Sequence, residues 1–198
     1  MRQVIKTIIF LVAAILFSGF TQAAPVEWNI DKAHSNFYFD IRHIFSTIRG
    51  SFDGFTGKVL IDSEKPEASS VTFDVEVKSV NTGINQRDNH LRTKDFFDAA
   101  KFPIMKFRSK GIKSVGDNKY IMTGDFTIKD VTKTIEVPFT YLGVKDNPSK
   151  QGELVSGFDA LFTIDRLAYN VGDGSFYKMG LIDKDVKIFI SLELTKKK

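Results

Sequence analysis

Three histidines, His34, His43 and His90, are the side chains with the chemistry to ligate a metal or move a proton near neutral pH. His34 and His43 stand nine residues apart, so on an uninterrupted strand they face opposite sides. No His-x-x-x-His pair occurs, and no acidic partner stands at ligand spacing, so no metal site is expected. The chain has no cysteine, which removes thiolate ligands and thiol nucleophiles together. No serine sits in a Gly-x-Ser-x-Gly elbow. Asp74 and Glu76 alternate along one strand face, which makes a solvated edge and not an acid/base pair. No glycine-rich loop precedes a helix to cradle a phosphate. No catalytic residue is assigned.

The remaining polar chemistry is cationic. Arg87, Asp88, His90 and Arg92 cluster in one short stretch, where an arginine can grip an anionic head group with two parallel hydrogen bonds. The same cluster can equally pin its own segment to the fold. Asp165-Arg166 opens a loop through Tyr169 to Tyr177 with Gly172 and Gly174, either a flexible portal or an ordinary connection. His34 and His43 can bond a head group or seat loops by bonding backbone groups.

The first 23 residues read as a secretory signal peptide. Arg2 and Lys6 form a positive start, an apolar run follows, and Thr21-Gln22-Ala23 offers small residues for cleavage. The run is too short to span a bilayer, which needs about 20 residues. Residues 24–198 then form one domain, and a periplasmic location is expected. No second apolar span follows. Without cysteines the fold must hold in that oxidising compartment by packing and backbone pairing alone. The formal charge of +4 falls to +2 without Arg2 and Lys6, and Lys196, Lys197 and Lys198 exceed that remainder. Such a domain lacks the concentrated basic face that nucleic acid requires. Of 19 phenylalanines, only Phe10, Phe17 and Phe20 lie in the leader. The rest are a heavy load of rings for one small domain, with a surplus suited to lining a cavity.

Period-2 alternation dominates that domain, which is the pattern of strands with one buried face. Val71, Phe73, Val75 and Val77 alternate with polar residues, as do Phe37, Phe39 and Ile41, then Phe158, Ala160, Phe162 and Ile164, then Val186 to Leu194. Gly116-Asp117-Asn118-Lys119 reads as a tight hairpin and Lys129-Asp130-Val131-Thr132 as another short turn. Loops are expected at 63–69 and 146–152. Pro103 is expected to open a strand, and Pro138 to mark an edge or bulge, a candidate dimer contact. One stretch, 84–98, breaks the alternation. Asn85 and Asp88 stand there at N-cap and N3 spacing, so one or two short helices are expected, with a single further turn at 44–47.

Three segments together resemble the YceI-like family. The first runs Trp28-Asn29-Ile30-Asp31-Lys32-Ala33-His34-Ser35, then Phe37, Phe39, His43, Ile48-Arg49-Gly50-Ser51-Phe52 and Phe55-Thr56-Gly57. The second is Arg87-Asp88-Asn89-His90-Leu91-Arg92, followed by Asp95-Phe96-Phe97-Asp98, Phe102-Pro103 and Phe107-Arg108-Ser109. The third is Gly124-Asp125-Phe126-Thr127-Ile128-Lys129-Asp130-Val131-Thr132-Lys133. The resemblance implies an all-β fold, a single antiparallel lipocalin-like barrel of about eight strands that holds a polyisoprenoid, prenyl quinone or similar lipid. Asp165 replaces the family's usual asparagine and is expected to neutralise Arg166 in part. Asp130 replaces a common turn glycine, with aspartate tolerating the left-handed conformation.

The expectation is therefore a binding protein, not an enzyme. It needs no cofactor and holds an isoprenoid or fatty-acid-like lipid. Phe37, Phe39, Phe73, Phe126 and Phe162 are the candidate tail contacts. His34, His43, Arg87, Arg92 and Arg166 are the candidates for the head group. Two alternatives make different demands: a β-sandwich interaction protein requires a solid core, and a lipid- or quinone-dependent enzyme requires a titratable group in the cavity.

Overall fold

The computed structural model describes residues 24–62 and 65–198; the signal peptide expected at 1–23 lies outside the described residues. Eleven strand segments form one antiparallel sheet: β1 (Val26–Ile30), β2 (Asn36–His43), β3 (Ser46–Phe52), β4 (Phe55–Ile61), β5 (Ser70–Glu76), β6 (Val80–Asn81), β7 (Ile104–Gly116), β8 (Lys119–Ile128), β9 (Val131–Asp146), β10 (Glu153–Asp165) and β11 (Ile182–Lys197). The sheet closes because β11 holds two partners along one edge. Its first half pairs with β2, from Ile182 opposite His43 to Ser191 opposite Asn36. Its second half pairs with β1, at Ile30 opposite Leu194 and Asn29 opposite Thr195.

The segments reduce to a closed barrel of eight long strands, because three of those strands are interrupted. β1 and β2 are one strand broken at 31–35, and β3 and β4 are one strand broken at 53–54. β5 and β6 are one strand broken by the short turn Val77–Ser79. Closure leaves no solid sandwich. Consecutive strands are neighbours throughout, which is the up-and-down arrangement that removes sheet edges.

Local chemistry explains most of the turns. Asp117 and Asn118 both adopt positive φ, 50° and 60°, as a two-residue primed hairpin turn requires. In the β8–β9 turn the left-handed residue is Lys129, with φ 56°, so Asp130 is not the residue that replaces a glycine there. Pro103 immediately precedes β7. Pro138 stands where the β9–β10 ladder stops, just beyond Phe139 opposite Ala160. The expected turn at 44–47 is not helical; Ile44 and Phe45 instead form the tip of the β2–β3 hairpin.

The inserted helix is α1 (Asn85–Arg92), and a single-turn α2 (Ser175–Lys178) follows β10. Ile84, not Asn85, is the N-cap of α1, and no side chain caps it. Asp88 is buried and accepts from the Thr82 N–H and hydroxyl instead. The helix stands at one end of the barrel with the β2–β3 turn, the β8–β9 turn and the 166–181 loop.

Aromatic rings lie flat across glycines of the neighbouring strand. Phe39 faces Gly50 and Phe73 faces Gly57 in direct register. A methyl group at Gly57 would sit 2.5 Å from the Phe73 ring and 2.6 Å from the Thr72 carbonyl oxygen. The second contact is with backbone, which cannot rotate away. Gly57→Ala is therefore expected to destabilise the barrel by about 1–3 kcal/mol, as overpacking does. Thermal melting should fall by several degrees; an unchanged midpoint would show that the strand pair relaxes freely.

Candidate ligand cavity

Three neighbouring strands build the wall of the interior in matched rows. Ala160, Ile190 and Phe37 form one row, Phe162, Ile188 and Phe39 the next, and Ile164, Val186 and Ile41 the third. Every member points inward and is apolar, because the strand period puts alternate residues on one face. Facing them are Phe73, Met105, Phe107, Met122, Phe126 and Val137. These side chains do not fill the space between them. A cavity of about 820 Å³ runs along the barrel, near the upper end of the ~300–1,000 Å³ usual for small-molecule sites.

The two ends of the cavity differ. At the end carrying the β4–β5 and β9–β10 loops, the lining comes from residues such as Leu60, Pro66, Tyr120, Phe139 and Tyr141, all partly covered. At the helix end Ser46, Ile84, Gln86 and His90 both line the cavity and stand exposed, so the cavity opens there. His43, Thr82, Arg87 and Arg166 line the same end. The interior is thus mainly apolar along its length, with Asp62 and Ser69 at the far end and a cationic group of side chains at the mouth.

Arg166 is the most constrained of these groups. It is 5% exposed, and its guanidinium donates to the carbonyl oxygens of Asp183 at 2.8 Å and Val171 at 2.7 Å, with Ile182 at 3.5 Å. Its five N–H donors exceed those three acceptors. Asp165 does not pair with it. The Asp165 carboxylate caps the Leu167 N–H at 2.9 Å and faces Lys184 at 3.3 Å. Burial pushes the Arg166 pKa below the ordinary arginine value, outweighing the opposing pull of Asp165, Asp183 and Asp173. The loop is shaped around it: Gly172 has φ 88°, and a side chain there would collide with the Arg166 guanidinium.

The candidate residues separate cleanly. Phe37, Phe39, Phe73, Phe126 and Phe162 all line the cavity, as do His43, Arg87 and Arg166. Arg87 also donates to the Thr82 carbonyl at 2.8 Å and hydroxyl at 2.7 Å, so it pins the helix while facing the mouth. Arg92 lies outside the cavity. It holds α1 to the wall through the Lys78 and Val80 carbonyls, at 2.8 and 2.7 Å. His34 also lies outside, in the 31–35 break, where Nδ1 meets Asp31 at 2.9 Å and Glu193 at 3.9 Å. Asp31 is the acidic partner that spacing alone missed, and the three donor atoms lie within 4.8 Å of one another.

Some of the site carried no signal in the sequence. Tyr169 is 2% exposed, packs edge-on against Phe126 at 5.6 Å, and has a buried hydroxyl with no hydrogen-bond partner among the described residues. Burial raises its pKa. Phe96, just after α1, stacks on Phe176 of α2 at 6.1 Å.

Comparison with known proteins agrees with this architecture. The YceI-like domain matches residues 28–194. The chain belongs to the YceI-like family. A UPF0312 protein of Pseudomonas putida strain F1 is 35% identical over 188 residues, covering 93% of each chain. Another, from Pectobacterium atrosepticum, is 31% identical over 196 residues, covering 98% of each. Among solved structures, BcnA of Burkholderia cenocepacia superposes with a TM-score of 0.75 at 28% identity, covering 83% of this chain and 99% of that one. A polyisoprenoid binding domain from Saccharophagus degradans, implicated in plant cell wall breakdown, shares the fold at a TM-score of 0.62 and 15% identity, covering 86% of this YceI-like chain and 98% of its own.

Two outcomes follow for the polar groups of this YceI-like barrel. Replacing Arg166 with lysine leaves a point charge that cannot serve three carbonyls at once. Arg166→Lys should lower stability in urea titration by about 1–3 kcal/mol; an unchanged midpoint would mean the loop does not depend on the guanidinium. The Asp31 hydrogen bond raises the His34 pKa above 6.5 and holds that of Asp31 below 3.8. The His34 contribution is therefore full below pH 6.5 and lost as pH rises through the raised value. NMR titration should show His34 above its ordinary value, and Asp31→Asn should return it there.

Proposed function

We propose that this protein is a periplasmic carrier or buffer that holds a long apolar isoprenoid-type lipid inside the barrel and seats its head group at the helix end. The observation that carries this reading is a cavity lined mainly by apolar side chains along its length, with His43, Arg87 and Arg166 at its open end. The solved neighbour described as a polyisoprenoid binding domain points the same way. The leader at 1–23 supports export to the periplasm. Among the described residues no helix is long and apolar enough to cross a membrane.

Magnitudes favour a long tail over a short one. Each buried methylene contributes about 0.8 kcal/mol, whereas association itself costs about 4–15 kcal/mol. A chain of ten carbons roughly breaks even, so useful affinity requires a longer one. At the mouth, Arg166 with its spare donors suits a phosphate, a carboxylate or a quinone oxygen. The role is binding and not catalysis: the cavity holds the tail by exclusion from water, which requires no reacting group.

Native mass spectrometry of protein purified from a bacterial periplasm, followed by organic extraction, tests this. A stoichiometric prenyl lipid or quinone is the expected result. Ala160 faces the cavity between Phe139 and Ile190. Ala160→Phe should therefore block the tail path and abolish the adduct while the fold survives. Wild-type protein that is empty and also refuses added polyprenyl lipid would end the carrier reading.

A further inference from the structure

Five large apolar side chains stand in solvent at the helix end of the barrel: Phe45 at 91% exposure, Met179 at 58%, Ile84 at 52%, Ile44 at 46% and Tyr177 at 42%. They come from the β2–β3 turn, the approach to α1, and α2 with its exit. The Ile44 N–H donates to the Leu181 carbonyl at 3.1 Å, so the turn and the α2 segment lie side by side. Ser46, Ile84, Phe176 and Ile182, which adjoin these residues, line the cavity. The apolar rim therefore borders the mouth. The other exposed apolar residues, such as Val115, Leu142 and Leu161, lie along the walls or at the opposite end.

Folding gives no reason for this rim. A two-residue hairpin turn favours asparagine and glycine, which take positive φ at little cost. Here the turn is Ile44-Phe45, and Ile44 adopts φ 50°. A β-branched residue in that region is strained. Phe45 gains almost no burial in return. Strain without packing gain points to function, not stability.

The rim segments themselves carry only cations. Segments 41–48, 82–87 and 174–182 contain Arg42, Arg87 and Lys178, and no aspartate or glutamate. Arg42 donates to the Phe45 carbonyl at 2.9 Å. Among the described residues no ion pair engages any of the three. Carboxylates border the segments and accept local hydrogen bonds, Asp88 from Thr82, Asp173 from Ser175 and Asp183 from the Lys184 N–H, and Asp173 also attracts Lys178.

We propose that this rim is a docking surface for an anionic lipid bilayer, with Phe45, Ile44 and Met179 entering the headgroup boundary while Arg42 and Lys178 meet lipid phosphates. Apolar tips flanked by solvent-exposed cations, here Arg42 and Lys178, are the combination that holds a protein in the plane of a charged membrane. Docked this way, the barrel presents its open mouth to the lipid layer. The purpose of the surface rests on the carrier reading; its geometry does not.

Flotation with vesicles of phosphatidylcholine alone, and of an equimolar mixture with phosphatidylglycerol, tests the proposal. The full-length mature protein should float with the mixed vesicles and far less with the neutral ones. Phe45→Asp and Met179→Glu replace solvent-exposed residues, so melting curves should match wild type while partition falls by about tenfold or more. Wild-type protein that stays in solution, equal partition to both vesicles, or unchanged partition of both variants would overturn it. Concentration-dependent self-association that Phe45→Asp abolishes, without vesicle binding, would assign the rim to a second copy of the chain instead. Native mass spectrometry on the same samples separates the two readings. An empty barrel that still floats ends the carrier and keeps the surface, whereas a loaded barrel that never floats does the reverse.

Discussion

Everything inside the barrel depends on β11 serving two partners along one edge, β2 over its first half and β1 over its second. With no disulfide available, this double pairing is what closes the sheet. Closure does two things at once. It satisfies the backbone donors and acceptors of strands that would otherwise form edges. It also fixes the distance between opposite walls, so apolar side chains can face a space they do not fill. An open sheet with the same residues would collapse until its faces met. The break at 31–35 lies where β11 changes partner, and the Asp31 N–H and Ser35 hydroxyl both bond the Glu193 carbonyl there, at 2.9 and 3.2 Å. The joint is thus tied directly to the strand it must follow.

Given closure, cavity shape follows from where bulk is placed on the inner face. Phe39 and Phe73 cover glycines of the adjoining strand, Gly50 and Gly57, so each ring lies along the wall and does not project into the lumen. Phe37 does the opposite. It packs against Phe55 at 4.5 Å and Phe73 at 5.1 Å and belongs to the filled core beside the cavity. The phenylalanine surplus therefore both covers the wall and fills the core, and Phe73 does both at once.

Alternation made the strands legible because one inward face is enough to impose period 2, and the Asp117-Asn118 turn was legible because few residues tolerate its φ angles. The interruptions at 31–35, 53–54 and 77–79 were not, since a broken strand has the same composition as a strand and a loop. That loss carried over to the histidines. Counting nine residues from His34 to His43 assumes an unbroken strand, and the 31–35 break puts His34 on the outside beside Asp31. On α1, five residues separate Arg87 from Arg92, which is about 140° around a helix. Helical geometry alone therefore divided the mouth-facing arginine from the anchoring one. Tyr169 gave no warning, because a tyrosine in a glycine-containing loop looks the same whether it is buried or faces water.

Arg166 shows how a structural and a binding role can share one side chain. The 166–181 loop sends Tyr169 and Val171 into the core, and the carbonyls of Val171, Ile182 and Asp183 converge on the guanidinium. Those bonds satisfy carbonyls that burial would otherwise leave unpaired, at about 1–3 kcal/mol each. A carboxylate in the same place would have paired the charge and closed the site. Neutral carbonyls instead fix the orientation of the guanidinium without cancelling its charge. Asp165 is kept from doing so by its bonds to the Leu167 N–H and Lys184. The loop is therefore organised by a cation that retains donors to spare at the cavity wall.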